Sequence, residues 1–200
     1  MFPCFAAIFL IKVIKNRRDG SSRMNASSAG TERRRRFDRL VGVYHQDMFR
    51  YAAWLSRDRS VAEDVVQEAL LRAWKSLEAL RDDGAAKPWL LTIVRRENAR
   101  YFERKRLETV DVDDLSPSQE ALLAEKPDEQ LDALRESIFE LEDDYREPLV
   151  LQVLMGYSTK EIGELMGLKQ GAVLTRLHRA RLKLKERVEQ EDTDEPLAES

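Results

Sequence analysis

Residues 157–188 read YSTKEIGELMGLKQGAVLTRLHRARLKLKERV, and this stretch decides the fold of the C-terminal part of the chain. Ser158 is a favourable N-cap with Glu161 three residues later as its capping-box partner, so a helix begins there. Gly167 ends that helix, because a glycine after the last turn readily adopts the left-handed conformation. Gly163 lies where two crossing helices approach so closely that only Gly or Ala fits. Together these features predict a helix-turn-helix.

The second helix of this motif begins near Gln170 and has two unlike faces. Apolar residues recur at steps of four, three and four, which is the spacing of one buried helical face. Basic residues crowd the remaining surface against a single Glu186, and about six net positive charges make a plausible footprint for nucleic-acid phosphates. The plain alternative is a solvated basic helix. The apolar stripe is Val173, Leu177, Ala180 and Leu184, and the basic residues are Lys169, Arg176, Arg179, Arg181, Lys183, Lys185 and Arg187.

Composition favours an all-helical protein whose 200 residues allow one domain or two small ones. Charged residues make up 36% of the chain and apolar residues 42%, while the 8 glycines and 6 prolines are few and strand formers are sparse. The net charge of -3 argues weakly against nucleic-acid binding. However, basic and acidic residues are strongly segregated along the chain, so a basic surface is still expected.

The sequence contains few residues for metal or redox chemistry. Its single cysteine, Cys4, excludes an internal disulfide framework and a cysteine-based zinc site. The two histidines, His45 and His178, lie far apart without ligand spacing. There is no Gly-rich phosphate loop and no nucleophile with a nearby base. We therefore expect no enzyme activity, catalytic residue, metal, cofactor or small-molecule substrate, and we expect the protein in the reducing cytoplasm.

An apolar run at residues 1–14 is followed by basic residues. The run is short for a bilayer span, and its charges follow the apolar core, which reverses the order of a secretory signal. A membrane-surface anchor, a signal-like tail and upstream sequence translated from a wrong start are the three interpretations. We expect Met24 to be the natural start, and residues 1–32 to be a disordered or wrongly included extension.

Two amphipathic helices are expected in the next part of the chain. A basic run at residues 33–36 precedes a helical period over residues 37–55, and the polar SRDRS segment at 56–60 breaks it. The buried face of the following helix, residues 61–80, is Ala62, Val66, Ala69, Ala73 and Leu77. Polar groups surround an apolar centre on its opposite face, as in a protein-binding surface, although a plain amphipathic helix has the same period. That mixed face is Asp64, Gln67, Glu68, Leu71 and Lys75.

A second basic helix is expected over residues 87–106, after a loop at 81–86. Pro88 suits its first turn. Basic residues outnumber the two glutamates of this helix, which again suggests contact with nucleic acid. Trp89 and Phe102 are available either for core packing or for base stacking.

An acidic segment at residues 108–128 separates this helix from the rest of the chain. It contains Pro117 and Pro127 and little apolar periodicity, which is typical of a flexible linker. Two more helices, at residues 131–142 and 145–155, are expected to cover the inner face of the helix-turn-helix. The acidic tail after residue 188 is expected to be disordered.

Two basic helical units joined by an acidic linker resemble the extracytoplasmic-function (ECF) class of bacterial sigma factors. AEDVVQEALLRAW at residues 62–74 resembles the family's helix that binds core polymerase, and residues 87–106 resemble its helix that reads the −10 element. REPLVLQVL at 146–154 and the helix-turn-helix at 156–186 resemble the family's −35-reading domain. The order of the motifs is specific, and the resemblance covers roughly residues 35–188.

The resemblance implies an all-α fold of two small helical domains, a sigma2 bundle and a sigma4 helix-turn-helix, joined by the flexible acidic linker. Sigma2 is implied at residues 33–107, the linker at 108–130, sigma4 at 131–188 and a disordered acidic tail at 189–200. The resemblance also implies a protein that is a monomer when free and that binds core RNA polymerase, promoter DNA and an anti-sigma factor.

Three groups of binding residues follow from the resemblance, by their position in the motifs. Core-polymerase binding is implied for Asp64, Gln67, Glu68 and Leu71. Binding of −10 DNA is implied for Trp89, Arg95, Arg96 and Arg100. Binding of −35 DNA is implied for Lys169, Gln170, Leu174, Thr175, Arg176, His178, Arg179 and Arg181.

The chain departs from the family pattern at several positions. GAVLTRL places Ala172 and Leu174 where a threonine and a basic residue are common, so a contact to a thymine methyl replaces a polar contact at Leu174. Arg96 stands where many relatives have Asn, so the family's −10 preference is not carried over. A free-standing helix-turn-helix regulator would explain the C-terminal motif but neither earlier helix. A membrane-anchored signalling protein would rest on residues 1–14 alone.

Overall fold

The computed structural model describes residues 26–108 and 129–194. Within these ranges it contains helices and no β-strand. The all-α prediction is therefore confirmed. Seven α-helices occur in these ranges, with two short 3-10 helices between the second and the third. The α-helices are α1 (Ala26–Ser56), α2 (Arg59–Ser76), α3 (Ala86–Glu108), α4 (Glu129–Phe139), α5 (Asp143–Val153), α6 (Thr159–Met166) and α7 (Gln170–Asp194), and the 3-10 helices are Leu77–Ala79 and Asp83–Ala85.

The chain divides into two compact units, residues 1–43 and 44–200. The described part of the first unit is the N-terminal portion of α1, where Phe37 and Leu40 are buried. The second unit contains the rest of α1 and all later helices. Within the described ranges, no helix is long and apolar enough to cross a membrane, and the apolar run at residues 1–14 lies outside those ranges.

Two helices extend beyond their predicted boundaries. α1 begins at Ala26, within the segment up to residue 32 that the sequence predicted to be a disordered or wrongly included extension. α7 continues to Asp194, beyond residue 188, after which the sequence predicted a disordered acidic tail. The apolar period that placed these boundaries gives no signal where the sequence at a helix end is polar. Residues 109–128, which form most of the predicted linker at 108–130, and the last six residues lie outside the described ranges.

α2 packs against α3 through small side chains. The break before α2 falls where the sequence predicted it, and Asp58 caps the helix by accepting a hydrogen bond from the backbone N–H of Val61 at 3.0 Å. Three alanines on the inner face let the two helices approach closely. The predicted buried face is confirmed at Ala62, Val66, Ala69, Ala73 and Leu77, and α3 buries Leu90, Leu91 and Val94.

α6 and α7 form the predicted helix-turn-helix. The capping box is complete, because the Ser158 side chain accepts from the backbone of Glu161 and the Glu161 carboxylate accepts from the Ser158 backbone at 2.8 Å. The carboxylate also accepts from the Ser158 hydroxyl at 2.6 Å, and the bonds from this hydroxyl and from the Ser158 backbone N–H lower the pKa of Glu161. Gly167 ends α6 with a left-handed φ of 69°. The buried stripe of α7 contains Val173, Leu177 and Ala180.

Gly163 lies where α6 meets the turn before α7. A Cβ atom at this position would lie 2.7 Å from the backbone oxygen of Leu168, closer than carbon and oxygen atoms approach without a shift. The Leu168 N–H donates to the Gly163 carbonyl at 2.8 Å, which holds the turn in that place. The sequence predicted that only Gly or Ala fits at position 163, and the structure shows that Ala would not fit without a shift.

The C-terminal helices contact the earlier helices of the second unit through α5. Oε1 of buried Glu147 accepts hydrogen bonds from the Tyr51 hydroxyl of α1 and from Nε of Arg95 in α3, each at 2.6 Å. Tyr51 is fully buried. Burial, followed by the charge and hydrogen bond of Glu147, raises the pKa of Tyr51 well above its ordinary value, so the phenol remains a donor.

Further contacts flank this carboxylate. Arg146 of α5 is buried, and its guanidinium donates to the carbonyls of Leu141 at 3.0 Å and Leu55 at 3.4 Å. The rings of Trp54 and Phe139 pack with centroids 4.6 Å apart. Two helical domains that the sequence predicted on either side of a flexible linker are therefore in direct contact in this structure.

Gly163→Ala is expected to lower the free energy of unfolding by about 1–3 kcal/mol, because the added methyl overpacks against a backbone carbonyl. Gly171→Ala is the matched control, since a Cβ there meets nothing within 4 Å. The control should be neutral or stabilising by up to about 1 kcal/mol, because Ala is the better helix former. Urea unfolding followed by circular dichroism measures both, and equal midpoints would contradict the close crossing.

Glu147→Leu is expected to lower the free energy of unfolding by about 1–3 kcal/mol, because the buried Tyr51 hydroxyl loses its acceptor. Tyr51→Phe in the same background should recover part of this loss, since no unpaired hydroxyl then remains. Denaturant unfolding of the two single variants and the double variant measures the coupling. Strictly additive losses would show that the two side chains act independently.

Candidate nucleic-acid and protein interfaces

The mixed face of α2 is accessible. Asp64 and Gln67 are exposed, whereas Glu68 and Leu71 are half-buried. These side chains lie opposite the alanine face that packs on α3. A half-buried leucine surrounded by carboxylates and an amide forms an apolar centre with a polar rim, which is suited to binding a protein surface.

The predicted DNA-binding side chains of α3 lie in different environments. Arg96 and Arg100 are exposed, and Trp89 is half-buried in the first turn of the helix. Arg95 points toward α5, where its Nε donates to Glu147 while 38% of its side chain stays exposed. α3 therefore presents Arg96 and Arg100 at the surface, whereas Arg95 is engaged with the protein itself.

Glu97 is a residue of this region that the sequence analysis missed. Its side chain is 2% exposed, and its Oε1 lies 2.5 Å from Nε of Arg72 and 2.6 Å from Nη1 of Arg100. The local signal was an acidic residue three positions before an arginine in a basic helix, a spacing at which side chains meet. Its burial was not visible, because the second arginine belongs to α2.

The face of α7 opposite its apolar stripe is exposed, as the spacing of that stripe predicted. Leu174 is 52% exposed and forms an apolar patch within this polar face. Nε2 of Gln170 donates to the hydroxyl of Thr159 at 2.9 Å, which ties the start of α7 to α6. Arg181 donates to the Gln152 side chain of α5 at 2.6 Å. The exposed predicted residues are Lys169, Gln170, Leu174, Thr175, His178, Arg179 and Arg181.

Another flank of α7 forms ion pairs with carboxylates at α5 and in the turn before it. Arg176, which the resemblance implied for −35 binding, belongs to this flank, and its side chain is only 27% exposed. The sequence count of basic residues did not distinguish the two flanks, because their acidic partners come from another part of the chain. The ion pairs are Arg176–Asp144 and Lys183–Glu142 at 3.0 Å and Arg187–Glu140 at 2.5 Å.

The carboxylates of this region act as acceptors for basic groups. Within the described ranges, no three His, Cys, Asp or Glu side chains are arranged to hold a metal ion. Glu97 instead contacts Arg72 and Arg100, and Glu147 contacts Arg95. The exposed arginines and the helix-turn-helix are suited to binding a polyanion, and the α2 face is suited to binding a protein.

Comparison with known proteins assigns both halves of the chain. The Sigma-70 region 2 family matches residues 40–108, which include α2 and α3. The Sigma-70, region 4 family matches residues 131–184, which include α5 and α6 and most of α7. The order of the two matches agrees with the order of the exposed faces described above.

Individual relatives agree with these family matches. The chain is 30% identical over 151 residues to the ECF RNA polymerase sigma factor SigM of Bacillus subtilis, covering 74% of this chain and 92% of that protein. It is 34% identical over 142 residues to SigL of Mycobacterium tuberculosis, covering 66% and 77%. The structure of sigma factor RpoE in complex with the anti-sigma factor NepR from Bartonella quintana has 26% identity and a TM-score of 0.61, covering 76% and 96%. The chain belongs to the extracytoplasmic-function (ECF) family of RNA polymerase sigma factors.

Proposed function

We propose that this sigma factor contacts core RNA polymerase with the mixed face of α2 and reads promoter DNA with α3 and α7. As an ECF sigma factor it binds core RNA polymerase, and it directs promoter recognition and transcription initiation. The observation that carries the assignment of surfaces is that each of the three faces has exposed residues on its own helix, in the order of the family's regions: Asp64 and Gln67 on α2, Arg96 and Arg100 on α3, and Thr175, His178 and Arg179 on α7.

The −35 contact is proposed for α7. In a helix-turn-helix the second helix enters the major groove, where side chains near its N-terminal half reach base edges. Thr175, His178 and Arg179 are exposed on that part of α7, and Leu174 offers an apolar contact for a thymine methyl. Lys169 and Gln170, at the helix start, are suited to phosphate and backbone contacts.

The −10 contact is proposed for α3. Arg96 and Arg100 are exposed on one side of this helix and can meet DNA directly. Arg95 must first leave the Glu147 carboxylate before it contacts DNA. Trp89 is half-buried, so its ring can serve core packing while one edge remains available to a base.

Domain limits, location and partners complete the proposal. Sigma2 is proposed at residues 33–107 and sigma4 at 131–188, with the linker between them. We propose that the chain is a monomer when free, is not an enzyme and acts in the cytoplasm, where core polymerase works. The Bartonella quintana relative is bound to an anti-sigma factor, which supports the proposal that an anti-sigma factor also restrains this chain.

Run-off transcription tests the function. Purified core polymerase with this chain should produce discrete transcripts from a subset of genomic fragments, and core alone should not. The alternative of a free-standing regulator explains α6 and α7 but leaves the α2 and α3 surfaces without a role. Tight binding to a specific site in a gel shift without polymerase, together with no run-off product, would favour that alternative.

Leu71→Asp is expected to weaken core-polymerase binding at least about ten-fold, because a charge replaces the apolar centre of the α2 face. Asp64→Lys and Glu68→Lys should weaken binding through charge reversal at its rim. Glu103→Lys is the control, since it makes the same charge change at an exposed position of α3. Fluorescence titration against labelled core measures the affinities, and circular dichroism checks the fold. Unchanged affinity in all three α2 variants would refute this interface.

Arg179→Ala is expected to cost on the order of 1–3 kcal/mol of DNA-binding energy and to relax base preference at one −35 position. Arg176→Ala is the control, because that guanidinium is paired with Asp144 and should not contribute to base preference. A randomised promoter library transcribed by each holoenzyme measures the preference. If Arg179→Ala changes only the −10 preference, the assignment of α7 to the −35 groove is wrong.

A further inference from the structure

A buried carboxylate lies beneath the exposed arginines of α3. Oε1 of Glu97 is paired with Arg72 at 2.5 Å and accepts a hydrogen bond from Arg100 at 2.6 Å. The Glu97 side chain is 2% exposed, whereas those of Arg72 and Arg100 are 43% and 46% exposed. One hidden oxygen therefore fixes two guanidinium groups that reach the surface.

Stability alone does not explain an acidic residue at this place. Burying a carboxylate is unfavourable unless it is paired, and an apolar side chain of similar size often gives an equally stable fold. A carboxylate does, however, direct a guanidinium, because its hydrogen bonds hold the planar group in one orientation. An arginine held in this way loses less conformational freedom when it binds a ligand.

The ion-pair cluster of Arg72, Glu97 and Arg100 extends to the proposed polymerase-binding face. Nε of Arg72 lies 3.9 Å from the carboxylate of Glu68, one turn earlier in α2. Charges thus alternate from Glu68 through Arg72 and Glu97 to Arg100. The cluster connects the half-buried rim of the α2 face with an exposed side chain of the DNA-reading helix.

We propose that Glu97 is a positioning residue for promoter binding: it orients the Arg100 guanidinium toward a backbone phosphate of the melted −10 strand. The inference rests on the proposed role of α3 in −10 recognition. Phosphate is the group that an exposed guanidinium on a helix surface meets first, and such contacts fix the register of the strand. Through Arg72, the orientation of Arg100 is tied to the helix that contacts polymerase.

Electrostatics and positioning predict opposite effects for one substitution. Glu97→Gln removes a negative charge close to DNA, and by charge alone this should leave binding unchanged or strengthen it. Loss of the orienting ion pair should instead weaken binding, although Arg100 keeps its charge. The sign of the change therefore separates the two explanations.

The experiment uses holoenzyme assembled from core polymerase and the full chain. The probe is a fluorescent forked DNA with a single-stranded −10 non-template segment. Glu97→Gln should bind it about ten-fold more weakly, because Arg100 is then no longer oriented toward its phosphate. A hydrogen bond between a guanidinium and a charged phosphate contributes about a factor of ten. Glu103→Gln, which makes the same charge change at an exposed site of α3, should bind as tightly as wild type or more tightly. Glu97→Gln combined with Arg100→Ala should bind no more weakly than Arg100→Ala alone.

Several results would overturn the proposal. Fork binding by Glu97→Gln that equals or exceeds wild type would exclude positioning, and an additive loss in the double variant would show that Glu97 does not act through Arg100. Core binding is measured in parallel, because a folding defect would reduce it as well. If Glu97→Gln does not fold, Arg100→Lys is used: it keeps the charge but not the planar fork, so it should bind weakly, and wild-type affinity would overturn the proposal.

Failure of the underlying −10 assignment looks different. In that case Arg100→Ala and Arg96→Ala would both bind the fork like wild type. Failure of the positioning inference alone would leave Arg100→Ala defective and Glu97→Gln normal. The two outcomes are therefore distinguished by the arginine variants.

Discussion

One carboxylate oxygen joins three of the described helices of the second unit. Oε1 of Glu147 receives a phenol from α1 and a guanidinium from α3, in a place largely closed to water. The fold is more stable when both donors are in place, because an unpaired buried charge raises the free energy of the folded state. Under the proposed −10 role of Arg95, a DNA phosphate and Glu147 are rival acceptors for one guanidinium. Promoter binding and the contact between the two halves are then linked through this side chain.

Local features of the fold could be predicted from the sequence. The capping box at Ser158, the left-handed Gly167 and the alanine face of α2 each depend on residues within a few turns, and each was confirmed. The exposed face of α7 follows from the helical period for the same reason. At Gly163 the sequence predicted a close approach that admits only Gly or Ala, and the structure shows that only Gly fits without a shift.

Partners that come from distant parts of the chain could not be predicted. Glu97 reaches Arg72 of α2, and Glu147 reaches Tyr51 of α1, so neither pair leaves a periodic signal. Periodicity assigns a charged residue to the solvent by default, whereas pairing allows it to be buried. The helix ends at Ala26 and Asp194 were missed because polar helical turns carry no apolar period.

The ion pairs along α7 have a consequence for how this helix responds to salt. The sequence analysis counted seven basic residues on or just before this helix. Three of them, Arg176, Lys183 and Arg187, are already paired with carboxylates of the same chain. A basic group neutralised in this way displaces no cation from DNA when the complex forms. The helix should therefore release fewer counterions than the roughly six that its composition suggests, and its affinity should fall correspondingly less steeply with ionic strength.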